Sequence, residues 1–208
     1  MQKGLLILIS GASGTGKGTV CKKFLSEMPE TYYSISATTR QPREGETDGV
    51  EYFFITVEEF KKKIAEGKFL EYAEVYGNFY GTPLYKIEEH LNRGENVLLE
   101  IDTQGALNVM KKIPDGVYIF LLPPSLEELY NRIKNRGTES EEDLRRRLDS
   151  ARQEIEVGKK YQYAVINDSV DLAVEKIKSI VAAESLKVER QLELFQNFFS
   201  KRGALRCQ

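Results

Sequence analysis

Apolar residues in this chain gather into short unbroken runs separated by longer stretches of mixed character. Gly4–Ser10, Asn96–Ile101 and Val117–Leu122 are continuous in hydrophobicity, and Tyr163–Ile166 is a shorter run of the same kind. Runs that do not alternate read as parallel strands covered on both faces. Helical patterning fills the stretches between them, which predicts an α/β sandwich with right-handed crossovers. Helix boundaries are written locally. Thr56-Val-Glu-Glu59 and Ser125-Leu-Glu-Glu128 fit capping boxes. Thr82-Pro83 fits a cap followed by proline in the first turn, and Gly67 and Gly94 fit helix stops. These signals predict helices near 57–66, 83–93 and 126–136. A further helical pattern starts at Asp171, with Phe199 as its furthest reach.

Two regions depart from that frame. Residues 34–82 hold a polar loop, an aromatic strand Tyr52-Phe53-Phe54-Ile55, and Phe69–Val75 leading into Tyr76-Gly77-Asn78-Phe79-Tyr80. A small mixed subdomain inserted into the parallel core accounts for this better than another crossover. Residues 137–146 are polar and begin with glycine, so they read either as a mobile segment over a cleft or as an ordinary helix–helix loop. In the tail, Leu192, Phe195 and Phe199 recur at three- and four-residue spacing. That spacing fits a helix packed on its own core or on a partner, and leaves self-association open.

Composition narrows the class. With 208 residues the chain can bury a real core, and one domain is the default. A formal charge of -2 argues against a nucleic-acid partner, and Lys61-Lys62-Lys63 reads as a solvated helix face. Cys21 and Cys207 give no disulfide framework; Cys21 is expected to fill space in a helix, and a reducing compartment follows. Residues 1–10 lack the features of a secretory signal, and nothing approaches the roughly 18 consecutive apolar residues of a membrane span. The expectation is a soluble cytoplasmic protein with no membrane partner.

Chemistry enters directly after the first apolar run. Gly11-Ala12-Ser13-Gly14-Thr15-Gly16-Lys17-Gly18-Thr19 has the form G-x-x-x-x-G-K, with Gly18 where a hydroxyl is usual and Thr19 just after. Glycines let consecutive N–H groups curl around an oxyanion, Lys17 adds a mobile charge, and the following helix points its positive end at the same place. This segment binds a nucleotide phosphate chain. Downstream, Arg40 and Arg43 flank a proline turn, where two guanidinium forks could hold one more phosphate or form surface ion pairs. Arg132 and Arg136 stand four apart, on one helical face.

With these pieces assembled, the chain closely resembles a guanylate kinase. The matching segments are Gly11–Thr19, Ser34–Glu46, Gly49–Phe54, Phe69–Val75, Gly77–Thr82, Glu100–Gly105 and Asn167-Asp168, spread over roughly residues 4–184. The resemblance implies a P-loop nucleoside monophosphate kinase fold: core 1–33, 91–136 and 147–184, a GMP-binding mixed α/β region 34–90, a lid 137–146 and a helical extension 185–208. It implies transfer of the γ-phosphoryl of ATP to GMP, giving ADP and GDP, in purine nucleotide metabolism and GMP recycling. It places Arg40, Arg43, Tyr52 and Tyr80 on the GMP phosphate, although aromatic packing alone would also explain the tyrosines. Ser36, Glu71, Thr82 and Asp102 would surround the guanine. An ionised Glu71 can accept from N1–H and N2–H together, which adenine cannot offer, while Ser36 and Thr82 can donate toward O6.

On the donor side the resemblance supports Lys17, Arg132 and Arg136, adds Arg147, and sets Asn167 near the ATP base. A monophosphate is largely ionised at neutral pH, so no catalytic base is assigned, and His90 reads as a helix-surface or packing residue. Mg²⁺ is implied as the partner of the donor phosphates, with Thr19 in contact directly or through water. Glu100 departs from the family's common aspartate, which leaves the acidic coordination open. Two rivals remain: a guanylate-kinase-like scaffold that binds acidic or phosphorylated peptides, and a kinase with the same donor loop but another acceptor.

Overall fold

The computed structural model describes residues 2–75, 77–134 and 141–200, with backbone alone at 75, 141–145 and 197–200. In chain order the elements begin with β1 (Leu6–Gly11), α1 (Lys17–Glu27), β2 (Tyr32–Tyr33), β3 (Ala37–Thr38), β4 (Phe53–Phe54) and α2 (Val57–Ala65). Next come β5 (Phe69–Val75), β6 (Asn78–Pro83), α3 (Leu84–Asn92), β7 (Val97–Glu100) and α4 (Thr103–Lys112). The last part supplies β8 (Val117–Leu122), α5 (Leu126–Lys134), α6 (Glu141–Val157), β9 (Tyr163–Ile166), α7 (Val170–Ser185) and α8 (Leu192–Ser200).

The core sheet runs β2-β7-β1-β8-β9, every pair parallel. Its central strand β1 is buried throughout because successive side chains meet two different helical layers. Leu5, Ile7 and Ile9 pack with Val20, Cys21 and Phe24 of α1 and Ala173, Val174 and Ile177 of α7. Leu6 and Leu8 face the other way, onto Ile87 of α3 and Ala106 and Val109 of α4. A strand with two buried faces has no polar positions to alternate with, which is why its sequence reads as one apolar run.

The second sheet, β4-β3-β6-β5, is mixed: β3 and β4 pair in parallel, while β6 is antiparallel to both β3 and β5. Here alternation returns. Ala37, Phe53, Phe69 and Phe79 pack with Phe60 and Ile64 of α2. Gly81 makes that packing possible, since a Cβ on it would lie 2.9 Å from both Phe60 and Phe69. Ser36, Tyr52, Tyr80 and Thr82 alternate with these and point to the opposite face, towards the core sheet, and an irregularity in β5 between Phe69 and Glu71 brings Glu71, paired with Thr82, onto that face too.

Most helix punctuation stands. Thr56 and Glu59 close a reciprocal capping box, and Gly67 and Gly94 adopt positive φ after their helices. Ser125 Oγ accepts from Glu128 N at 3.0 Å, while the Glu128 carboxylate takes Arg132 Nε at 2.8 Å. Two expectations need correction. Thr82 is not the cap of α3; Pro83 occupies that position, and the Thr82 hydroxyl donates to Glu71. The pattern from Asp171 is not one helix. It ends at Ser185 and resumes at Leu192, because Arg190 turns back to donate to Lys3 O at 2.5 Å and Gln191 Nε2 donates to Ser185 O at 2.8 Å. Leu192 and Phe195 of α8 are exposed, so they do not pack on this chain's core. Cys207 and the side chains of Phe198 and Phe199 lie outside the described residues.

Candidate functional site

Both candidate binding regions gather at the C-terminal ends of the parallel strands, where α/β sheets present ligand crevices. β1 delivers the chain at Gly11, and α1 restarts it at Lys17. Between them Gly14 and Gly16 take φ of 87° and 90°, values an L side chain resists. Lys17 Nζ folds back onto Gly11 O at 2.6 Å and Ala12 O at 3.3 Å, and Thr15 Oγ1 closes on Ala12 O at 2.8 Å. From the far edge of the sheet, buried Asn167 donates from Nδ2 to Thr15 O at 2.8 Å. Asn167 thus buttresses the loop, and it also lines a groove of about 390 Å³ with Gly14, Gly16, Thr19, Arg132, Asp168 and Val170.

Charge in this loop is balanced by acids. Burial lowers the pKa of Lys17, and the carboxylates of Glu154, Glu100 and Asp102 oppose that shift. Arg132 enters the groove from α5, bonded to Glu128 and to Asn167 O at 3.3 Å. Arg147 is half-buried on α6, one position before Leu148, which packs against the cluster of Ala12, Leu129, Ile133 and Ala151. Arg136 lies outside the described residues. So do 137–140 of the expected lid, whereas 141–146 form the first turns of α6.

A divalent cation fits the oxygen chemistry beside this loop. Glu100, at the end of β7, faces Gly18 so closely that a Cβ there would lie 3.5 Å from Glu100 Oε1. Tyr33 Oη donates to Glu100 Oε2 at 3.2 Å and orients the carboxylate, while Thr19 is exposed on the same first turn of α1. Among the described residues no three His, Cys, Asp or Glu side chains group as a metal cage. Such a site suits a hard cation that keeps waters and arrives with phosphates.

A second cleft, of about 430 Å³, opens between the mixed sheet and the start of α4. Ser36, Tyr52, Glu71, Tyr80 and Asp102 line it, together with Ile101 and Gly105. Five of the residues expected around one acceptor are therefore brought together. Asp102 also caps α4, its Oδ1 accepting from Gly105 N at 2.7 Å. Thr82 is fully buried behind this wall, and its Oγ1 donates to Glu71 Oε1 at 2.5 Å. Burial raises the pKa of Glu71; the Thr82 hydrogen bond opposes the shift, Asp102 adds to it, and Lys112 opposes it in turn.

At the outer end of the cleft the arginines divide. Arg40 makes a fork to Glu46, at 2.9 and 2.8 Å, and its guanidinium lies 5.4 Å from the centre of the Tyr52 ring. Tyr52 and Tyr80 meet edge to face at 5.9 Å. Arg43 is exposed at the turn, with its backbone N–H on the same Glu46 carboxylate at 2.7 Å. Glu46 thus pre-shapes a cationic, hydroxyl-bearing pocket. His90 stacks on Tyr32 at 3.6 Å and bonds Glu95 at 2.5 Å, a packing role well fitted to its helix.

Sequence reasoning assigned no role to Tyr33, Gly105, Glu46 or Glu154. Gly105 and Glu46 stood inside quoted motifs, so a signal existed. Tyr33 and Glu154 carried none, because each acts on a residue far away in the chain.

The comparisons with known proteins agree among themselves. A family model described as guanylate kinase matches residues 3–184. The guanylate kinase of Caldanaerobacter subterraneus subsp. tengcongensis is 56% identical over 194 residues, covering 93% of this chain and 94% of its own. That of Clostridium tetani is 58% identical over 190 residues, covering 91% of each. Among solved structures, the guanylate kinase from Anaplasma phagocytophilum superposes with a TM-score of 0.75 at 33% identity, covering 96% of this chain and 97% of that one.

Proposed function

This chain belongs to the guanylate kinase family, and from that premise we propose how its two clefts carry out transfer of the γ-phosphoryl group of ATP to GMP, giving ADP and GDP. One observation carries the assignment. Glu100 and Asp102, two residues apart at the end of β7, face the phosphate loop and the second cleft respectively, so both sites share one rigid junction.

ATP occupies the loop side. The amides from Gly14 to Thr19 and the Lys17 ammonium hold its phosphates, Gly11, Ala12 and Ser13 bring the backbone into position, and the groove beside Asn167 takes its nucleoside. Arg132 and Arg147, with Arg136 between them in sequence, neutralise charge as the phosphoryl group moves. GMP occupies the other side. Arg40, Arg43, Tyr52 and Tyr80 receive its phosphate, while Glu71, Ser36 and Asp102 read the guanine edge. Thr82 holds Glu71 in place and so acts through it.

Transfer forms a bond from a GMP phosphate oxygen to the γ-phosphorus and breaks the bond to the β–γ bridging oxygen, with ADP leaving. The attacking oxygen is already ionised near neutral pH, since a second phosphate pKa is about 6. Positioning and charge stabilisation therefore dominate, and no proton need be removed. The family's chemistry uses a nucleotide-associated metal, which we assign as Mg²⁺, held beside Glu100 and Thr19. A cation held there would supply Lewis-acid neutralisation of the donor phosphates. The acids around Lys17 oppose the lowering of its pKa by burial and so favour the charged form that this task needs. A buried unpaired Cys21 supports a reducing, cytoplasmic setting.

The test measures ADP and GDP from ATP with GMP, AMP, CMP or UMP, with Mg²⁺ or with excess EDTA. GDP formation confined largely to GMP, lost with EDTA, and lowered about 10²–10³-fold by Lys17→Ala is expected. Transfer to another monophosphate at a similar rate would overturn the guanine assignment, and an active Lys17→Ala would overturn the donor site.

A further inference from the structure

One acidic side chain reaches the phosphate loop from a helix with no assigned contact to either nucleotide at that point. Glu154 of α6 accepts a hydrogen bond from Ser13 N at 3.0 Å. Ser13 precedes the amides assigned to the donor phosphates, so this bond holds the loop's entrance and leaves those amides free. Leu148, Ala151 and Ile155 of the same helix pack with Ala12, Leu129 and Ile133. The loop is therefore clamped at two successive residues, Ala12 by apolar contact and Ser13 by a carboxylate. Arg147 lies two helical turns before Glu154, on the same side of α6.

A carboxylate beside a site for a polyanion is electrostatically adverse by itself. Here Lys17 offsets it. Burial lowers the pKa of the ammonium, and Glu154 is the largest of the acidic influences that oppose the shift. The carboxylate also gives Ser13 N a charged acceptor, stronger than a neutral one.

We propose that Glu154 is a positioning residue for phosphoryl transfer, fixing the entrance of the phosphate loop against α6 so that the donor amides and the arginine-bearing helix share one frame before ATP arrives. The inference rests on the donor-site assignment above. It predicts a defect on the ATP side alone. Glu154→Ala removes the acceptor and raises the KM and the calorimetric Kd for ATP about 10–100-fold, the range expected for a charge-assisted hydrogen bond. The Kd for GMP stays within twofold. Glu154→Gln keeps a neutral oxygen that can accept from Ser13 N, about half as strongly, and recovers part of the loss, leaving ATP affinity about 3–10-fold below the parent.

Three results would overturn the role: ATP affinity within twofold in Glu154→Ala, ATP and GMP affinities falling together with the melting temperature, or Glu154→Gln as defective as Glu154→Ala. Lys17→Ala, measured in parallel, separates the two readings. Loss of transfer there beside a silent Glu154→Ala refutes only the role of Glu154, whereas transfer retained in Lys17→Ala refutes the donor site as well.

Discussion

Gly105→Ala sets helix stability against acceptor binding, and the two should move in opposite directions. Gly105 is the third residue of α4, and its N–H donates to the capping carboxylate of Asp102. An added Cβ would lie 3.3 Å from Glu71 Oε2, 3.4 Å from Asp102 Oδ1 and 3.5 Å from Ile101 Cδ1. The first of these is tighter than ordinary van der Waals contact, so something must give. Glu71 cannot retreat freely, because Thr82 grips its other oxygen at 2.5 Å from a fully buried position. Displacing the carboxylate weakens that bond and mis-aims the group proposed to read guanine. A hydrogen bond to a charged group contributes about 1.5–3 kcal/mol, and losing about half of one raises the KM for GMP about 3–12-fold.

The helix itself gains. Glycine to alanine at a compatible position stabilises by about 0.4–1 kcal/mol, or about 1–4 °C in melting temperature for a chain of this size. Steady-state kinetics with GMP varied at saturating ATP, beside a thermal melt, would read both effects. A KM for GMP within twofold of the parent, a matching rise in the KM for ATP, or a fall in melting temperature would refute the reasoning. Gly105 would then serve backbone packing and not the shape of the cleft.

Glu71→Gln should lower kcat/KM for GMP about 10–100-fold, since N1–H and N2–H lose an ionised acceptor. Burial raises the folded-state pKa of Glu71 above its unfolded value, so its contribution to stability is fully present below the unfolded pKa and is lost as pH rises through the folded one. The glutamine variant should accordingly melt higher than the parent at pH 7 and lose that advantage in mild acid; a variant that melts lower at pH 7 would contradict the linkage. Gly16→Ala should be costly in both readouts. Its φ of 90° is left-handed and its Cβ would lie 2.6 Å from Asn167 Nδ2, so about 1–3 kcal/mol of stability should go, with ATP affinity falling at least tenfold. An unchanged melting temperature would show that the loop can relax around the methyl group.

Much of the donor half was legible from residues alone because its signals are short-ranged. Glycines spaced along a loop, a lysine at the start of the next helix and an apolar strand before them are neighbours in the chain, and folding only realises geometry they already prefer. The acceptor half was legible in composition but not in arrangement. Arg40, Tyr52, Glu71 and Tyr80 could be named, yet alternation in the mixed sheet decided that Tyr52 and Tyr80 face the cleft while Phe53 and Phe79 face α2. Arg40 was expected to choose between phosphate and a surface ion pair, and in this structure Glu46 holds it as a pre-formed fork.

Local signals account for the four apolar strands, the phosphate loop, the reciprocal cap at Thr56 and the glycine stops at Gly67 and Gly94. Each depends on residues within a few positions of one another, where backbone sterics and hydrogen-bond reach leave little choice. Tertiary structure alone decided the two-residue edge strand β2, the partner of the Thr82 hydroxyl, the break between α7 and α8, and the contact of Glu154 with Ser13, 141 residues away. A donor and an acceptor that far apart share no local pattern. They meet because parallel crossovers return each strand's C-terminal end to the same edge of the sheet, where α/β folds form their ligand crevices.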